Sequence, residues 1–197
     1  MAGFTFEKNL PHQQKGVDAV LQVLQHTELV NTKNLTTTNQ INPELTITSD
    51  DYENTIKSVQ QALNVTGEKI LHKKSRVLDI SMETGTGKTY TYTKTIYELN
   101  RVFGLFKFII IVPTLSIKAG TVNFLKSDAL LEHFRDDYDG REIKTYIVES
   151  KKNPTSKKSY MPQAVSQFVN ATDNNEKYIH VLIINSGMIN SPTIQSD

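Results

Sequence analysis

The stretch DISMETGTGKTYTYTK (Asp79–Lys94) decides the predicted fold, because it places a glycine-rich loop between a short apolar run and a helical pattern. Its centre reads Gly-Thr-Gly-Lys-Thr, whereas the usual phosphate-binding pattern is Gly-x-x-x-x-Gly-Lys-Ser/Thr. Met82 stands where that pattern has its first glycine. Since the other letters are intact, the sequence predicts a nucleotide site with a relaxed form of this loop.

Each residue type in the loop suits a polyphosphate ligand. Gly85 and Gly87 permit positive backbone dihedral angles and a close approach of backbone N–H groups to phosphate oxygens. The helix that follows presents its N-terminal dipole and free N–H groups. Lys88 supplies a point charge to the terminal phosphates, and Thr89 supplies a hydroxyl ligand to Mg²⁺, so we expect catalytic roles for both. The expected nucleotide contacts in this stretch are Thr84, Gly85, Thr86, Gly87, Lys88, Thr89 and Tyr90.

Hydrophobic periodicity predicts strands that alternate with helices, which is typical of an α/β fold with a parallel sheet covered on both faces. The predicted strands are Arg76–Met82, Lys107–Pro113, Glu142–Ser150 and Val181–Asn185. The predicted helices are His12–Thr27, Asp50–Val65, Lys88–Arg101, parts of Leu115–Phe134, and Met161–Thr172. The run Lys107–Pro113 is continuously apolar and indicates a strand buried on both faces. The Thr- and Asn-rich segment Glu28–Asp51 is read as a surface connector, with capping candidates at Ser49, Asp50 and Asp51.

The amino-acid composition excludes only a few classes of protein. The 197 residues carry 22 basic and 21 acidic side chains, so net charge neither favours nor excludes nucleic acid. The chain has no cysteine, which excludes a disulfide scaffold and a thiolate metal site. No apolar run is long enough to span a bilayer and the N-terminus has no signal core, so we expect a cytoplasmic protein without a membrane partner. Four lysines in Lys151–Tyr160 are read as a solvated loop rather than a DNA contact.

Three segments resemble motifs of the superfamily 2 helicase-like ATPases. METGTGKT (Met82–Thr89) is similar to their motif I, and LPHQQKGVDAV (Leu10–Val20) to the upstream segment that reads adenine. By this match Gln13 would hydrogen-bond the adenine edge, since a side-chain amide both donates and accepts. IIIVPTLSIKAGTVNFL (Ile109–Leu125) resembles motif Ia, which contacts the nucleic-acid backbone. The matching positions and a nearby cation are Pro113, Thr114, Ser116 and Lys118.

Taken together, these segments resemble the N-terminal part of the Res subunit of Type III restriction enzymes. The resemblance implies a P-loop NTPase with an incomplete RecA-like sheet, ATP and Mg²⁺ as cofactors, and movement on double-stranded DNA that licenses cleavage. A Mod methyltransferase subunit would supply sequence recognition. Residues 1–75 would form a helical segment that contains the adenine-reading motif and the polar insertion, and residues 76–197 the first part of the motor domain, truncated before the Walker B strand.

One expected motif is missing from the sequence. No Asp-Glu-x-His follows a later strand, and Asp136 and Asp137 are read as exposed carboxylates of a loop. We therefore expect the chain alone to be close to inactive as an ATPase. Other interpretations remain open at this point, namely the motor subunit of Type I restriction enzymes, a nucleotide-binding module that never hydrolyses ATP, and a small-molecule kinase.

Overall fold

The computed structural model describes residues 6–30, 40–65, 76–149, 161–173 and 177–189. Its elements are α1 (Pro11–Leu24), β1 (Glu28–Val30), β2 (Glu44–Thr46), α2 (Ser49–Ala62), α3 (Lys88–Phe103), β3 (Lys107–Val112), α4 (Leu115–Leu125), α5 (Asp128–Arg135), β4 (Glu142–Ile147), α6 (Gln163–Val169), β5 (Tyr178–Asn185) and α7 (Ser186–Ile189). None of the helices among these residues is both long and apolar enough to cross a membrane.

The chain divides into two compact units. The sheet unit comprises Met1–Phe6, Leu35–Asn42 and Gly104–Asp197. The loop unit comprises Glu7–Asn34 and Pro43–Phe103, so the glycine loop and α3 group with the N-terminal helices. The domain boundary expected after residue 75 stays a prediction.

The sheet unit contains three parallel strands in the order β3-β5-β4. All six inner residues of β5 are buried. Because successive residues of a strand point to opposite faces, this burial requires cover on both sides. Helix α6 packs on one face through Phe168, against Tyr146 and Leu182. The predicted α/β class, an incomplete RecA-like parallel sheet with helices on both faces, is confirmed.

The edge strand β3 differs from its prediction. Ile109 and Ile111 remain 57% and 55% exposed, although the apolar run indicated burial on both faces. Both lie in register with Leu182 and Ile184 of β5, which are covered by the cluster around α6. That cluster draws on β4, β5 and α6, so the same face of β3 is left open. The doubly buried strand is the central one, β5.

In the loop unit, α1 packs against both α2 and α3. A core cluster joins α1 to α2 and consists of Val23, Ile47, Tyr52, Ile56 and Val59. The N-cap of α2 is Thr48, whose hydroxyl accepts from the backbone N–H of Asp51 at 3.1 Å. The predicted caps at Ser49 and Asp50 were therefore wrong, because the helix begins one residue after the threonine. Leu63, the residue that follows α2, is 40% exposed.

The segment Arg76–Met82 is not a strand, contrary to its prediction. All seven residues lie in irregular structure, and Val77 and Ile80 are 42% and 46% exposed. A strand exists only through hydrogen bonds to a neighbouring strand, and this segment has no ladder partner among the described residues. Arg76 instead donates from its guanidinium to the carbonyl of Ile47 at 2.9 Å. An apolar run was therefore not sufficient to form a strand at Arg76–Met82.

The polar insertion Glu28–Asp51 was predicted to be a surface connector, but its described parts contain regular structure. Strands β1 and β2 pair antiparallel in the loop unit. In the sheet unit, Oδ1 of Asn42 accepts from the backbone N–H groups of Phe106 and Lys107 at 2.9 and 2.8 Å, and its Nδ2 donates to the Lys107 carbonyl at 2.7 Å. This amide satisfies backbone groups at the open edge where β3 begins.

Candidate nucleotide-binding site

The glycine loop has the backbone geometry that its sequence predicts. Gly85 and Gly87 have φ values of 83° and 86°, in the region that side chains disfavour, and α3 begins directly after them at Lys88. A Cβ atom on Gly87 would lie only 2.3 Å from Nε2 of Gln13, whereas one on Gly85 would meet nothing within 4 Å. Positive φ therefore favours glycine at both positions, and at Gly87 the space beside Gln13 is a second reason.

The lysine of the loop bonds to the loop's own backbone. Nζ of Lys88 donates to the carbonyls of Met82 and Glu83 at 2.7 and 2.6 Å. The Glu83 carbonyl also accepts from the hydroxyl of Thr86 at 2.7 Å. Met82 contributes its backbone carbonyl and does not have a positive φ, so its position does not require glycine.

Two side chains of α1 meet the loop at one carbonyl. Nε2 of Gln13 donates to the Thr86 carbonyl at 3.1 Å, and Nε2 of His12 lies 3.0 Å from the same oxygen. Because a carbonyl only accepts, this contact assigns the proton to Nε2 of His12. The sequence placed Gln13 and the loop in one site, and the fold brings them into direct contact.

Gln13 leaves one polar atom without a partner. The residue is only 7% exposed, and its Oε1 is buried without a hydrogen bond in the described part of the chain. Buried acceptors are nearly always satisfied in folded proteins, although Thr27 and Tyr52 also carry a buried hydroxyl without a hydrogen bond among the described residues. An adenine amino group is a donor of the kind that Oε1 of Gln13 lacks.

The other predicted nucleotide contacts differ in accessibility. Thr84 and Gly85 are exposed, Thr86 and Thr89 are half-buried, and Thr89 lies in the first turn of α3. Tyr90 is only 6% exposed and its side chain forms part of the core, so a nucleotide contact at this residue stays a prediction. Its side chain points away from solvent because α3 buries that face.

The motif Ia residues lie where β3 ends, in the sheet unit. Pro113, Thr114 and Ser116 are all exposed. The hydroxyl of Thr114 caps α4 by accepting from the Ile117 N–H at 3.2 Å. Asn185, at the end of β5, donates from Nδ2 to the Pro113 carbonyl at 3.2 Å. Sequence analysis missed Asn185, although a polar residue ending a buried strand is a usable signal.

Lys118 does not lie where a DNA-contacting cation is expected. Lys118 is only 7% exposed, and its ammonium donates to the carbonyl of Val148, the residue that follows β4. Helix α4 turns this side chain towards the sheet, so the cation stabilises a strand end. This contradicts the expectation that Lys118 contacts the nucleic-acid backbone.

The described residues contain no group of three or more His, Cys, Asp or Glu side chains that could hold a metal ion. Thr89 is the expected Mg²⁺ ligand, and its hydroxyl makes no hydrogen bond within the ranges that the structure describes. A hydroxyl at the start of a phosphate-loop helix fits the oxygen preference of Mg²⁺, with phosphates and water as the other ligands.

A glycine loop that opens a helix, combined with a parallel α/β sheet, defines the class as a P-loop α/β domain. The chain matches the family model for the Type III restriction enzyme res subunit over residues 8–188, and it belongs to that family. This family is the one expected from the resemblance, rather than the Type I motor subunits.

Relatives support the same assignment. The chain is 61% identical over 196 residues to the EcoPI Res subunit of Escherichia phage P1, and 60% identical over 194 residues to the EcoP15I Res subunit of Escherichia coli. Each comparison covers 98% of this chain and 20% of the relative. The StyLTI Res subunit of Salmonella typhimurium is 39% identical over 122 residues, 61% of this chain and 12% of the relative. The chain therefore spans about a fifth of the length of the first two relatives.

Proposed function

We propose that this chain is the ATP-binding part of a helicase-like motor in a Type III restriction enzyme. The observation that carries the proposal is the shared carbonyl of Thr86, which accepts from both His12 and Gln13. It joins the segment expected to read the base to the loop expected to hold the phosphates. One ligand that carries both a base and a polyphosphate would bind to both parts.

The phosphates would be held by the loop backbone, the first N–H groups of α3, and Lys88. The Lys88 ammonium already donates to two carbonyls at the loop entrance, so phosphate oxygens would replace these acceptors with charged ones. Thr89 would provide the hydroxyl ligand to Mg²⁺. When bound, Mg²⁺ neutralises phosphate charge and supports phosphoryl transfer.

Base selection would come from a single acceptor. Since the Thr86 carbonyl accepts from Nε2 of Gln13, the Oε1 atom of Gln13 is left for the base. Oε1 is enclosed in this structure, so the side chain would have to turn outward to meet the base. Adenine presents an N6 amino donor, whereas guanine presents an O6 acceptor at the corresponding position. We therefore propose a preference for ATP over GTP of about tenfold or more, from one matched against one repulsive polar contact.

In the whole protein this site would drive ATP-dependent movement on double-stranded DNA and restriction. Pro113, Thr114 and Ser116 are the proposed contacts to the DNA backbone; Lys118 is left out because it is buried. A Mod methyltransferase subunit is the proposed partner for sequence recognition, and the cytoplasm the proposed compartment. The family membership and the exposed position of this loop after a parallel strand support these proposals.

The first test is Lys88→Ala in the natural protein that contains this chain. ATP affinity, measured by titration calorimetry, should fall by about tenfold or more because the charge that faces the phosphates is lost. Lys57→Ala is the matched control, since Lys57 pairs with Glu53 at 2.7 Å on the surface of α2. Unchanged ATP affinity in Lys88→Ala would contradict the proposed phosphate site.

We also propose that the 197-residue chain alone is close to inactive as an ATPase, because it lacks an Asp-Glu-x-His motif for the attacking water. The assay is phosphate release by the purified chain at saturating ATP and Mg²⁺. Turnover that disappears in Lys88→Ala would show that this chain contains a complete hydrolytic site and would refute the proposal.

A further inference from the structure

Lys94 of α3 connects the phosphate-loop helix to the segment that leads into α1. Its Nζ donates to Oδ1 of Asn9 at 3.0 Å and to Oε1 of Gln14 at 2.7 Å. Gln14 in turn donates from Nε2 to Oδ1 of Asp18 at 2.6 Å. These four residues form a polar clasp. It lies in the loop unit and is assigned no role by the motifs that the sequence matched.

Helix α1 begins without a side-chain cap. Leu10 is the N-cap and makes no side-chain capping hydrogen bond, whereas Pro11 at the first helical position favours the helix start. Asn9 has φ 61°, a left-handed conformation that asparagine adopts more readily than most other non-glycine residues. The Lys94 bond holds the Asn9 side chain in place directly before the start of α1.

The clasp flanks the two residues that bond to the loop. Asn9 and Gln14 lie on either side of His12 and Gln13 in the sequence. Along the same helix pair, a Cβ on Gly16 would lie 3.2 Å from Cγ2 of Thr91, so α1 and α3 are in close contact beyond the clasp as well. A shift at the start of α1 would therefore be concentrated at His12 and Gln13.

We infer that Lys94 is a positioning residue for base selection, which it controls by fixing Gln13 relative to Lys88. This inference rests on the proposed function of Gln13. Lys88 and Lys94 lie on one rigid helix, so the clasp fixes the distance between the group that meets the phosphates and the acceptor that meets the base. Loosening the clasp leaves the phosphate loop intact but lets Gln13 move away from the base.

The test compares binding of ATP and GTP as probes by variants of the natural protein that contains this chain. Lys94→Met removes the cation but keeps much of the apolar stem, and should reduce the ATP preference by about fivefold to tenfold while GTP affinity changes less than about twofold. Asn9→Gly is the milder second variant, because glycine accepts the positive φ and only the Oδ1 acceptor is lost. It should reduce the preference in the same direction.

Two control variants distinguish an effect of Lys94 on the position of Gln13 from an effect on the stability of the protein. Lys94→Arg should keep the preference, because a guanidinium has donors for both amide oxygens. Lys57→Met removes an exposed lysine of α2 and should also leave the preference unchanged. A loss of stability alone would lower the affinities for ATP and GTP together.

The result for Gln13→Ala distinguishes a failure of the Lys94 inference from a failure of the proposed function of Gln13. If Gln13→Ala abolishes the preference but Lys94→Met and Asn9→Gly retain it, the Lys94 inference is overturned and the function of Gln13 stands. If Gln13→Ala itself keeps the preference, the adenine-reading proposal fails and the inference falls with it.

Discussion

Alanine substitution of the two loop glycines isolates the contact between the loop and Gln13. Both Gly85 and Gly87 have positive φ, so either substitution should strain the backbone by about 1–2 kcal/mol. Only at Gly87 does the new Cβ come within 2.3 Å of Nε2 of Gln13. That amide is buried and must move, which breaks its bond to the Thr86 carbonyl at an added cost of about 1 kcal/mol.

The free energy of unfolding should therefore fall by about 2–3 kcal/mol in Gly87→Ala and by about 1–2 kcal/mol in Gly85→Ala. Urea denaturation of the chain measures this difference. In the natural protein, the ratio of ATP to GTP affinity should fall only in Gly87→Ala, because Gln13 is displaced there alone. The ratio is the sharper readout, since any effect on the phosphates is common to both nucleotides.

One result would refute this reasoning. If the two variants lose equal stability and keep the same nucleotide preference, then Gln13 does not depend on the space that Gly87 leaves open. A decrease in both affinities with an unchanged ratio would lead to the same conclusion.

Two further predictions concern the sheet unit. Asn42→Ala should lower the free energy of unfolding, measured by urea titration, by about 1–3 kcal/mol, because two backbone N–H groups at the start of β3 lose their acceptor and the Lys107 carbonyl loses its donor. An unchanged free energy of unfolding would contradict this. Burial lowers the pKa of His180, assisted by the charges of Lys144 and Lys107 and opposed by the Thr172 carbonyl. Its folded pKa lies below the unfolded value of about 6.5, so its contribution is complete above that pH and is lost as pH falls towards the folded pKa. The free energy of unfolding should therefore fall between pH 8 and pH 5, and the part of this fall that His180 causes should be absent in His180→Phe. An equal fall in both proteins would contradict the prediction.

The loop and the helices could be predicted from sequence because their causes are local. A glycine adopts positive φ wherever the turn requires it, so Gly85, Gly87 and the start of α3 followed from a few adjacent letters. Helical and strand periodicity also located α1, β4 and β5 to within a few residues. The match of Gln13 to an adenine-reading position also pointed to a side chain that contacts the glycine loop.

The sequence could not predict the outcomes that depend on distant neighbours. Whether Arg76–Met82 becomes a strand depends on a pairing partner, and whether Lys118 faces solvent depends on how α4 lies on the sheet. The bond of Lys94 to Asn9 joins side chains far apart in sequence. Such contacts arise only after packing has fixed which faces meet, and hydrophobic patterns specify that a face is buried without specifying what buries it. The order of the residues therefore determined the geometry of the glycine loop, whereas the packing of α1 on α3 brought Gln13 into contact with it.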